Sequence, residues 1–249
     1  MDIQELREKA IKVVKAKLRE SVGDDLLIIQ TISGIDELDK AINLLSKRLR
    51  ERYELYNPEI SKAIPDHETF AKTIISKSKK ELLTEFSIGD AMGADLKQKD
   101  IDAIMALANE VNSLFEFKES QGKYLEEKMK ELCPNITAIA GTQIGAKLIA
   151  LAGSLRRLSM FPASTIQLLG AEKALFRHLR NRRNLPPKYG ILHEHVLVNN
   201  VPQWNKGKMA RTLADKISIA AKVDYFKGKF VGKVLSEQVE KKCKELQHD

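Results

Sequence analysis

Apolar residues recur every seven positions between Asp24 and Tyr56, and this is the clearest periodicity in the chain. A second set of positions, of which two of the four are leucine, follows three places after them, so the stretch forms an a/d seam with a period of 3.5 residues. The pattern predicts a long coiled-coil helix; the alternative, a core helix of a compact bundle, would carry a broader apolar stripe. The seam consists of Ile28, Ile35, Ile42, Leu49 and Tyr56, with Thr31, Leu38, Leu45 and Arg52 at its second positions.

A second seam follows between Lys97 and Leu132 and predicts a second long helix. Between the two arms, residues 70–86 form an amphipathic segment and residues 87–95 predict a turn. Two long arms joined in this way predict an antiparallel hairpin, and such an arm seldom buries enough surface alone, so a second copy is expected as its partner. The residues expected to mediate dimerisation are Ile28, Ile35, Leu38, Ile42, Leu45, Leu49, Ile104, Leu107, Val111 and Leu114.

Breaks in the pattern divide the chain into three segments. Residues 1–23 form an amphipathic connecting helix, residues 24–133 form the coiled-coil dimerisation domain, and residues 134–249 form a second domain. In this second domain, residues 136–152 are small and apolar, with glycines that allow close helix contact. The composition favours helices over sheets. The expected fold class is all-α, with an elongated antiparallel coiled-coil domain followed by a compact helical domain.

The charge of the chain indicates the kind of partner it binds. The 249 residues carry a formal net charge of +8, which favours a polyanion where the charge is clustered. Cys133 and Cys243 lie far apart and form no CxxC pair, so a reducing compartment is expected. No apolar run approaches the ~20 residues that span a bilayer. The chain is therefore expected to be soluble and intracellular, with no membrane partner.

The positive charge is clustered between Gly170 and Arg211, where nine cations stand against two acids. A helix beginning near Ala171 places three of the cations on one face and three apolar residues on a neighbouring face, which is expected to pack on a core. A solvated charged face is the alternative, but such faces usually mix signs and this one does not. The cations of the face are Lys173, Arg177 and Arg180, and the apolar residues are Leu175, Phe176 and Leu179.

Three more cations, Lys206, Lys208 and Arg211, open the next periodic segment, in which Met209 and Leu213 begin a helical repeat. Cations in the first turn of a helix oppose the macrodipole, at a cost of roughly 0.3 kcal/mol or more each. A sequence that retains them is predicted to aim the positive end of the helix at an anion. Polyphosphate is the natural candidate.

No catalytic constellation stands out in the sequence, because GxSxG, Walker and Rossmann fingerprints are absent. His193 and His195 flank Glu194, and an HxH pair on a strand can begin a metal site. The other histidines, however, offer no spacing for further ligands. No metal, no cofactor and no enzymatic activity are therefore expected.

Three segments of the basic stretch, GAEKALFRHLR, PPKYGILHEH and NKGKMARTLADK, resemble the Nop domain. This domain is shared by core proteins of box C/D ribonucleoproteins and by a spliceosomal pre-mRNA-processing factor. The upstream stretch VGDDLLIIQTISGIDELDKAINLLSKRLRERYELYNPEI resembles the coiled-coil domain of the same family. The resemblance covers nearly the whole chain from Val22 onward, and it is greatest to the single archaeal form of the protein.

This resemblance implies a scaffold that binds a kink-turn RNA together with a small kink-turn-binding protein and so guides RNA 2′-O-methylation by fibrillarin. The family's fibrillarin-binding domain lies upstream of the connecting helix, so fibrillarin is expected as a partner only of a longer chain. The location is expected to be cytoplasmic in an archaeon and nucleolar in a eukaryote. A structural coiled-coil adaptor and a DNA-binding helical protein are the alternatives.

The resemblance also implies that residues of the basic stretch bind RNA. Its cations are expected to neutralise phosphates, and the amides at the start of the first helix are expected to bind the same backbone. Tyr189, His193 and Glu194 are interpreted as stacking or base-edge contacts, although packing of the loop is an equal alternative. The predicted RNA-binding residues are Gly170, Ala171, Glu172, Lys173, Arg177, Arg180, Arg182, Arg183, Lys188, Tyr189, His193, Glu194, Lys206, Lys208 and Arg211.

Overall fold

A computed structural model describes residues 3–89 and 92–248, and every regular element in these ranges is helical, which confirms the all-α fold class. Asp90 and Ala91, in the predicted turn, lie outside the described residues. The helices are α1 (Ile3–Ser21), α2 (Asp24–Glu54), α3 (Pro58–Ala63), α4 (His67–Ser76), α5 (Lys79–Glu85), α6 (Gln98–Leu132), α7 (Pro134–Ala140), α8 (Thr142–Ala152), α9 (Leu155–Met160), α10 (Ala163–Leu168), α11 (Glu172–Arg180), α12 (Val196–Asn199), α13 (Lys206–Tyr225) and α14 (Gly232–His248), with a 3-10 turn at Ile191–Glu194.

The chain divides into two compact units. The first comprises the residues up to Ser33 together with those from Leu125 onward, and the second comprises Gly34–Tyr124. Within the second unit, α2 and α6 run antiparallel, because Asp39 pairs with Lys118 while Leu49 shares a core with Ile104. The predicted segment 70–86 is divided into two helices, since Ser78 is extended and starts α5 with a capping box.

The predicted seam lies inside the single chain. All of its first positions except the half-buried Tyr56 are at most 5% exposed, so these side chains are not available to a second copy. The apolar second positions are only half-buried. The residues that follow Thr31, Leu45, Arg52 and Leu107 are buried instead, whereas those that follow Leu38 and Leu114 are half-buried as well. The buried first positions are Ile28, Ile35, Ile42, Leu49, Ile104 and Val111; the half-buried second positions are Leu38, Leu45, Leu107 and Leu114; the buried neighbours are Ile32, Ser46, Tyr53 and Ala108.

The first unit is built around α13, which packs on α7, α9, α10 and α14. Its small and apolar side chains, Ala210, Leu213 and Ile217 among them, are fully buried. The small, apolar segment 136–152 is divided at Gly141, whose φ of +76° lets the chain turn between α7 and α8. The helix α1 leaves its apolar residues exposed. No described helix combines the length and the apolarity that a bilayer span requires.

A buried carboxylate joins three elements of the first unit. Asp224, near the end of α13, accepts hydrogen bonds from the backbone N–H groups of Asn135 and Ile136 at the start of α7 (3.1 and 2.9 Å), and from Asn135 Nδ2 (2.7 Å). Asn135 Oδ1 in turn accepts from the Val231 N–H that precedes α14 (2.7 Å). Burial raises the pKa of the Asp224 carboxyl, and the bonds from Ile136 and Asn135 offset part of this effect.

His195 performs a similar linking role at the 3-10 turn. Its Nε2 lies 3.1 Å from the Ile139 carbonyl oxygen in α7, and its Nδ1 accepts from the Leu197 N–H (3.2 Å). These partners require the neutral tautomer with its proton on Nε2. Burial lowers the pKa of the His195 imidazole below 6.5, and the bond to Ile139 opposes this shift.

Replacing Asp224 by Ala is expected to destabilise the protein by about 3 kcal/mol, because the α7 amides lose their acceptor while they stay buried. Urea unfolding followed by circular dichroism measures this change. The matched control is Asp215→Ala on the same helix, where the carboxylate is exposed and pairs only with its neighbour Lys216. An Asp224→Ala variant as stable as that control would contradict the role assigned to the carboxylate.

The free energy of unfolding is expected to fall as the pH is lowered from about 7.5 to about 5. The folded imidazole of His195 has the lower pKa, so the unfolded chain binds the proton first, and stability is lost as the pH falls through 6.5. Urea titrations across this range measure the slope. His195→Gln is expected to flatten the slope, whereas His193→Gln, at an exposed position, is expected to keep it. Equal slopes in all three proteins would refute this assignment.

Candidate nucleic-acid interface

The helix α11 presents an unusually open cationic face. None of its residues is buried, and Lys173, Arg177 and Arg180 are all exposed. Their i, i+4, i+7 spacing places them on one side of the helix, as predicted. Arg177 and Arg180 lie in its last turn, where positive charge favours the helix, whereas Lys173 lies at its start, where it does not.

The apolar residues of α11 differ from the prediction that they pack on a core. Phe176 is 66% exposed and Leu179 is 59% exposed, while Leu175 is half-buried. On a helix with 100° per residue, Phe176 lies next to Arg180 on the exposed side. The helix is amphipathic, as predicted, but its apolar face is not the face that packs on the protein. α11 therefore carries a continuous outward surface that is half apolar and half cationic.

The predicted use of backbone amides at the start of α11 is also corrected. The Gly170 N–H donates to Glu172 Oε1 (2.7 Å), and the Ala171 N–H donates to the Leu168 carbonyl oxygen (2.9 Å). Neither amide is left for a phosphate. Glu172 occupies the first turn of the helix, where a carboxylate is favourable, and its side chain holds the amide of Gly170 within the chain.

The segment after α11 wraps its carboxyl-terminal end. Asn184 Nδ2 donates to the Arg177 carbonyl oxygen (3.3 Å), and the Asn184 carbonyl oxygen lies 2.6 Å from His178 Nδ1. Arg182 and Arg183 are exposed on this wrapped segment. These contacts hold the segment that carries two further guanidinium groups at the carboxyl-terminal end of α11.

Gln167 connects the basic loop to α13, and it lies outside the basic stretch. Its Nε2 donates to the Lys188 carbonyl oxygen (2.6 Å) and lies 3.5 Å from the Gly207 carbonyl oxygen. A Cβ at Gly207 would touch the Lys188 side chain at 3.5 Å, so the lysine stem already lies against the start of α13. The structure thus brings Lys188 together with Lys206 and Lys208. No charge or periodicity marked Gln167 in the sequence.

The cations that open α13 lie where they were predicted. Lys206, Lys208 and Arg211 occupy the first turns of the helix, and Lys206 Nζ donates to Asn199 Oδ1 (3.2 Å). In the described part of the chain, none of the nine cations of the basic stretch has a carboxylate within 4 Å. Their charge is therefore uncompensated at short range.

Tyr189, His193 and Glu194 are held by contacts within the protein. The rings of Tyr189 and His193 stack, with centroids 6.1 Å apart and an interplanar angle of 12°. Glu194 Oε2 lies 3.2 Å from Lys147 Nζ, a cation that the sequence had not marked as part of the site. His193 is nevertheless exposed, so one ring of the pair is open to a ligand.

The HxH pair lies on a 3-10 turn and not on a strand. Both ring nitrogens of His195 are engaged with the backbone, which leaves this side chain no lone pair for a metal. Within residues 3–89 and 92–248, no group of three or more histidine, cysteine or acidic side chains is arranged to hold an ion.

Comparison with known proteins gives the surface a context. The sequence profile of the Nop family, described as "snoRNA binding domain, fibrillarin", matches residues 34–245. The chain is 41% identical over 251 residues to a NOP5 family protein of Methanocaldococcus jannaschii, covering 94% of this chain and 59% of the relative. It is 38% identical over 252 residues to human nucleolar protein 56, covering 92% of this chain and 42% of the relative.

The fold has a counterpart among solved structures. A chain in the crystal structure of a fibrillarin/Nop5p complex superposes with a TM-score of 0.56 at 27% identity, covering 98% of this chain and 78% of the other. The chain spans only about half the length of the curated relatives named above. The family profile covers most of its residues, and the chain belongs to the Nop family.

Proposed function

We propose that this chain is a scaffold of a box C/D ribonucleoprotein that guides RNA 2′-O-methylation. It binds a kink-turn RNA on which a small kink-turn-binding protein is already seated. The observation that carries this proposal is the outward surface of α11, where cations without carboxylate partners lie beside two exposed apolar side chains. The names of its relatives, a snoRNA-binding family and nucleolar protein 56, agree with it.

The two halves of the α11 surface suit two different partners. Lys173, Arg177 and Arg180 offer three charges to phosphates, which position an RNA without reading its sequence. Phe176 and Leu179 offer an apolar patch that RNA phosphates cannot use, and exposed patches of this kind typically meet another protein. A composite of RNA and protein fits the composite surface.

The remaining basic residues extend the RNA surface toward α13. Arg182, Arg183 and Lys188 lie between the two helices in sequence, and Gln167 holds Lys188 at the start of α13. The amino-terminal end of α13 adds its positive macrodipole to Lys206, Lys208 and Arg211. In this arrangement the exposed ring of His193 is available to stack on an unpaired base.

Methyl transfer itself is assigned to fibrillarin with S-adenosylmethionine, and this chain is proposed to position RNA without catalysis. A relative of the chain is named in a fibrillarin/Nop5p complex, which supports fibrillarin as a partner of a longer form. Its eukaryotic relatives are named nucleolar proteins. A nucleolar location in a eukaryote and a cytoplasmic one in an archaeon therefore stay predictions for this chain.

A second copy is proposed to join along the half-buried side of the hairpin in the second unit. The fully buried seam residues cannot serve, because they already hold α2 against α6. Leu38 and Leu45 on α2, with Leu107 and Leu114 on α6, remain partly accessible. Their predicted role in dimerisation is therefore kept.

Replacing Lys173, Arg177 and Arg180 together by Glu is expected to abolish the ternary complex with kink-turn RNA and its small binding protein. Three fewer phosphate contacts should also reduce the slope of log affinity against log salt by about 2 to 3. Gel shifts at several salt concentrations measure both effects. The control is Lys80→Glu with Lys97→Glu and Lys99→Glu, which changes the charge equally at exposed sites of the second unit. If the α11 variant bound the RNA–protein complex with wild-type affinity, the cations of α11 would be only a solvated charged face.

Phe176→Ala with Leu179→Ala separates the protein partner from the RNA. No charge changes, so affinity for bare RNA should be unaltered, while the ternary complex should weaken at least tenfold. Gel shifts with and without the small protein measure the difference. A DNA hairpin of the same sequence tests the DNA-binding alternative, because phosphate contacts alone do not distinguish the two nucleic acids. Equal binding of DNA would contradict the proposed function.

Leu38→Glu with Leu45→Glu is expected to convert a dimer into a monomer, because it places charge on the proposed contact side. Sedimentation equilibrium measures the change. Leu44→Glu, at a position that is 59% exposed on the same helix, is the control and should leave the dimer intact. If the wild-type chain sediments as a monomer at tens of micromolar, the proposed dimer is contradicted.

A further inference from the structure

The turn between α13 and α14 carries a second group of exposed aromatic and cationic side chains. Phe226 is 75% exposed and Phe230 is 58% exposed, and Tyr225 is also exposed. Three exposed lysines, Lys227, Lys229 and Lys233, alternate with them. This group, here called the aromatic turn, plays no part in the surface formed by α11 and the start of α13.

The aromatic turn is rigidly held by its backbone. The Phe226, Lys227 and Gly228 N–H groups donate to carbonyl oxygens in the last turn of α13, at 3.0, 3.2 and 2.8 Å. Lys227 adopts a left-handed conformation with φ +52°, which costs a non-glycine residue about 1 kcal/mol. The side chains of Phe226 and Lys227 therefore project from a hydrogen-bonded backbone. The fold gains little from exposing two phenylalanines here, since an exposed ring gives up most of its burial energy.

The charge of the aromatic turn is unbalanced. Asp224 is the only acid between residues 217 and 236, and it is buried and occupied by the amides of α7. No carboxylate lies within 4 Å of Lys227, Lys229 or Lys233 in the described part of the chain. Aromatic rings interleaved with unpaired cations are the surface that single-stranded nucleic acid binds, with phosphates on the cations and bases on the rings.

A cavity of about 610 Å³ opens beside the aromatic turn. Tyr225, Lys227 and Phe230 form one wall, and Arg156 lies on another. The volume is within the range of roughly 300–1,000 Å³ found for small-molecule sites. Such a cavity has room for a nucleobase, with its phosphate left outside on the lysines.

The acids in the cavity wall are already engaged. Asp25 Oδ2 accepts from the Leu155 N–H (3.2 Å), and Glu131 Oε2 lies 3.0 Å from Lys128 Nζ. Asp24 lies 3.9 Å from the same ammonium group. Their negative charge is therefore partly compensated, while Arg156 and Lys227 have no such partner in the described residues.

We propose that the aromatic turn is a second RNA-binding surface, which takes single-stranded RNA by stacking bases on Phe226 and Phe230 and by placing phosphates on Lys229 and Lys233. The cavity beside it receives one base. The 20 residues of α13 place this surface about 30 Å from the cations at the start of that helix, so the two groups of cations are distinct. Recognition here is tolerant of sequence, since every base offers a ring face.

RNA is favoured over a lipid surface by the shape of the site. Membrane-surface segments are usually amphipathic helices with a long apolar face. The aromatic turn is short and bent, and it borders a cavity that a flat bilayer surface cannot fill. The lysines and aromatic residues are also interleaved, which suits a ligand that carries both phosphates and bases.

The test uses the whole chain and a fluorescent oligouridine of about ten nucleotides, a length that suits single-strand sites. Phe226→Ala with Phe230→Ala leaves the net charge unchanged and removes only exposed rings. Its affinity, measured by fluorescence anisotropy, is expected to fall roughly tenfold or more, with the salt slope preserved. Lys229→Glu with Lys233→Glu is expected to lower that slope by about 1.4. Lys97→Glu with Lys99→Glu is the charge-matched control and should bind almost as the wild type does.

The outcomes separate this proposal from the function proposed for α11. The Phe226→Ala, Phe230→Ala variant should still form the kink-turn complex, and the α11 triple variant should still show stacking-dependent oligouridine binding. Photocrosslinks from 5-iodouridine should fall on the peptide containing Phe226 and Phe230. Unchanged oligouridine affinity in the aromatic variant overturns the proposal. A second result would also overturn it: the variant loses binding to phosphatidylserine vesicles and keeps its oligouridine binding. The aromatic turn would then be a membrane contact.

Discussion

One buried carboxylate determines how the helices of the first unit meet. Asp224 is removed from water at the end of α13, where an unsatisfied charge would cost several kcal/mol. The amides that open α7 and the side chain of Asn135 supply its hydrogen bonds, and Asn135 also holds the chain just before α14. These bonds can all form only with α13 in one position. Both ends of α13, and the cations they carry, are placed by that requirement.

The two groups of cations in the basic stretch have different explanations. Arg177 and Arg180 lie at the carboxyl-terminal end of α11, where the macrodipole favours them by roughly 0.3–1 kcal/mol each, so the helix itself accounts for their presence. Lys206 and Lys208 lie at the amino-terminal end of α13, where the same interaction opposes them. Packing offers no compensation, since Lys208 is exposed and Lys206 donates only to Asn199. Among the described residues the start of α13 therefore carries positive charge without compensation, which is the arrangement expected at an anion site.

The apolar periodicity predicted the extent of the long helices well, but it did not predict which side of a helix packs on the protein. The second arm was expected from Lys97 to Leu132 and is observed as α6 from Gln98 to Leu132, because a seam sustained over many turns has few interpretations. The spacing of apolar residues in a helix does not reveal which side of the helix packs on the protein. Phe176 of α11 was expected to be buried, and it is exposed. Gln167 could not be predicted, because its role depends on two carbonyl oxygens far along the chain. The occupied amides of Gly170 and Ala171 were missed although their partners, Glu172 and Leu168, are local, because a predicted helix start does not reveal which amides the chain itself satisfies.

The composition of the α11 surface limits what can bind it tightly. Burying Phe176 and Leu179 contributes at most about 3–6 kcal/mol in total, which offsets only the low end of the roughly 4–15 kcal/mol lost when two bodies associate. Phosphate contacts alone are weakened strongly by physiological salt and carry no selectivity. Each half of the surface is therefore insufficient by itself. In the proposed function, the assembled ribonucleoprotein presents apolar protein surface and ordered phosphates together, and so meets both needs in one association step.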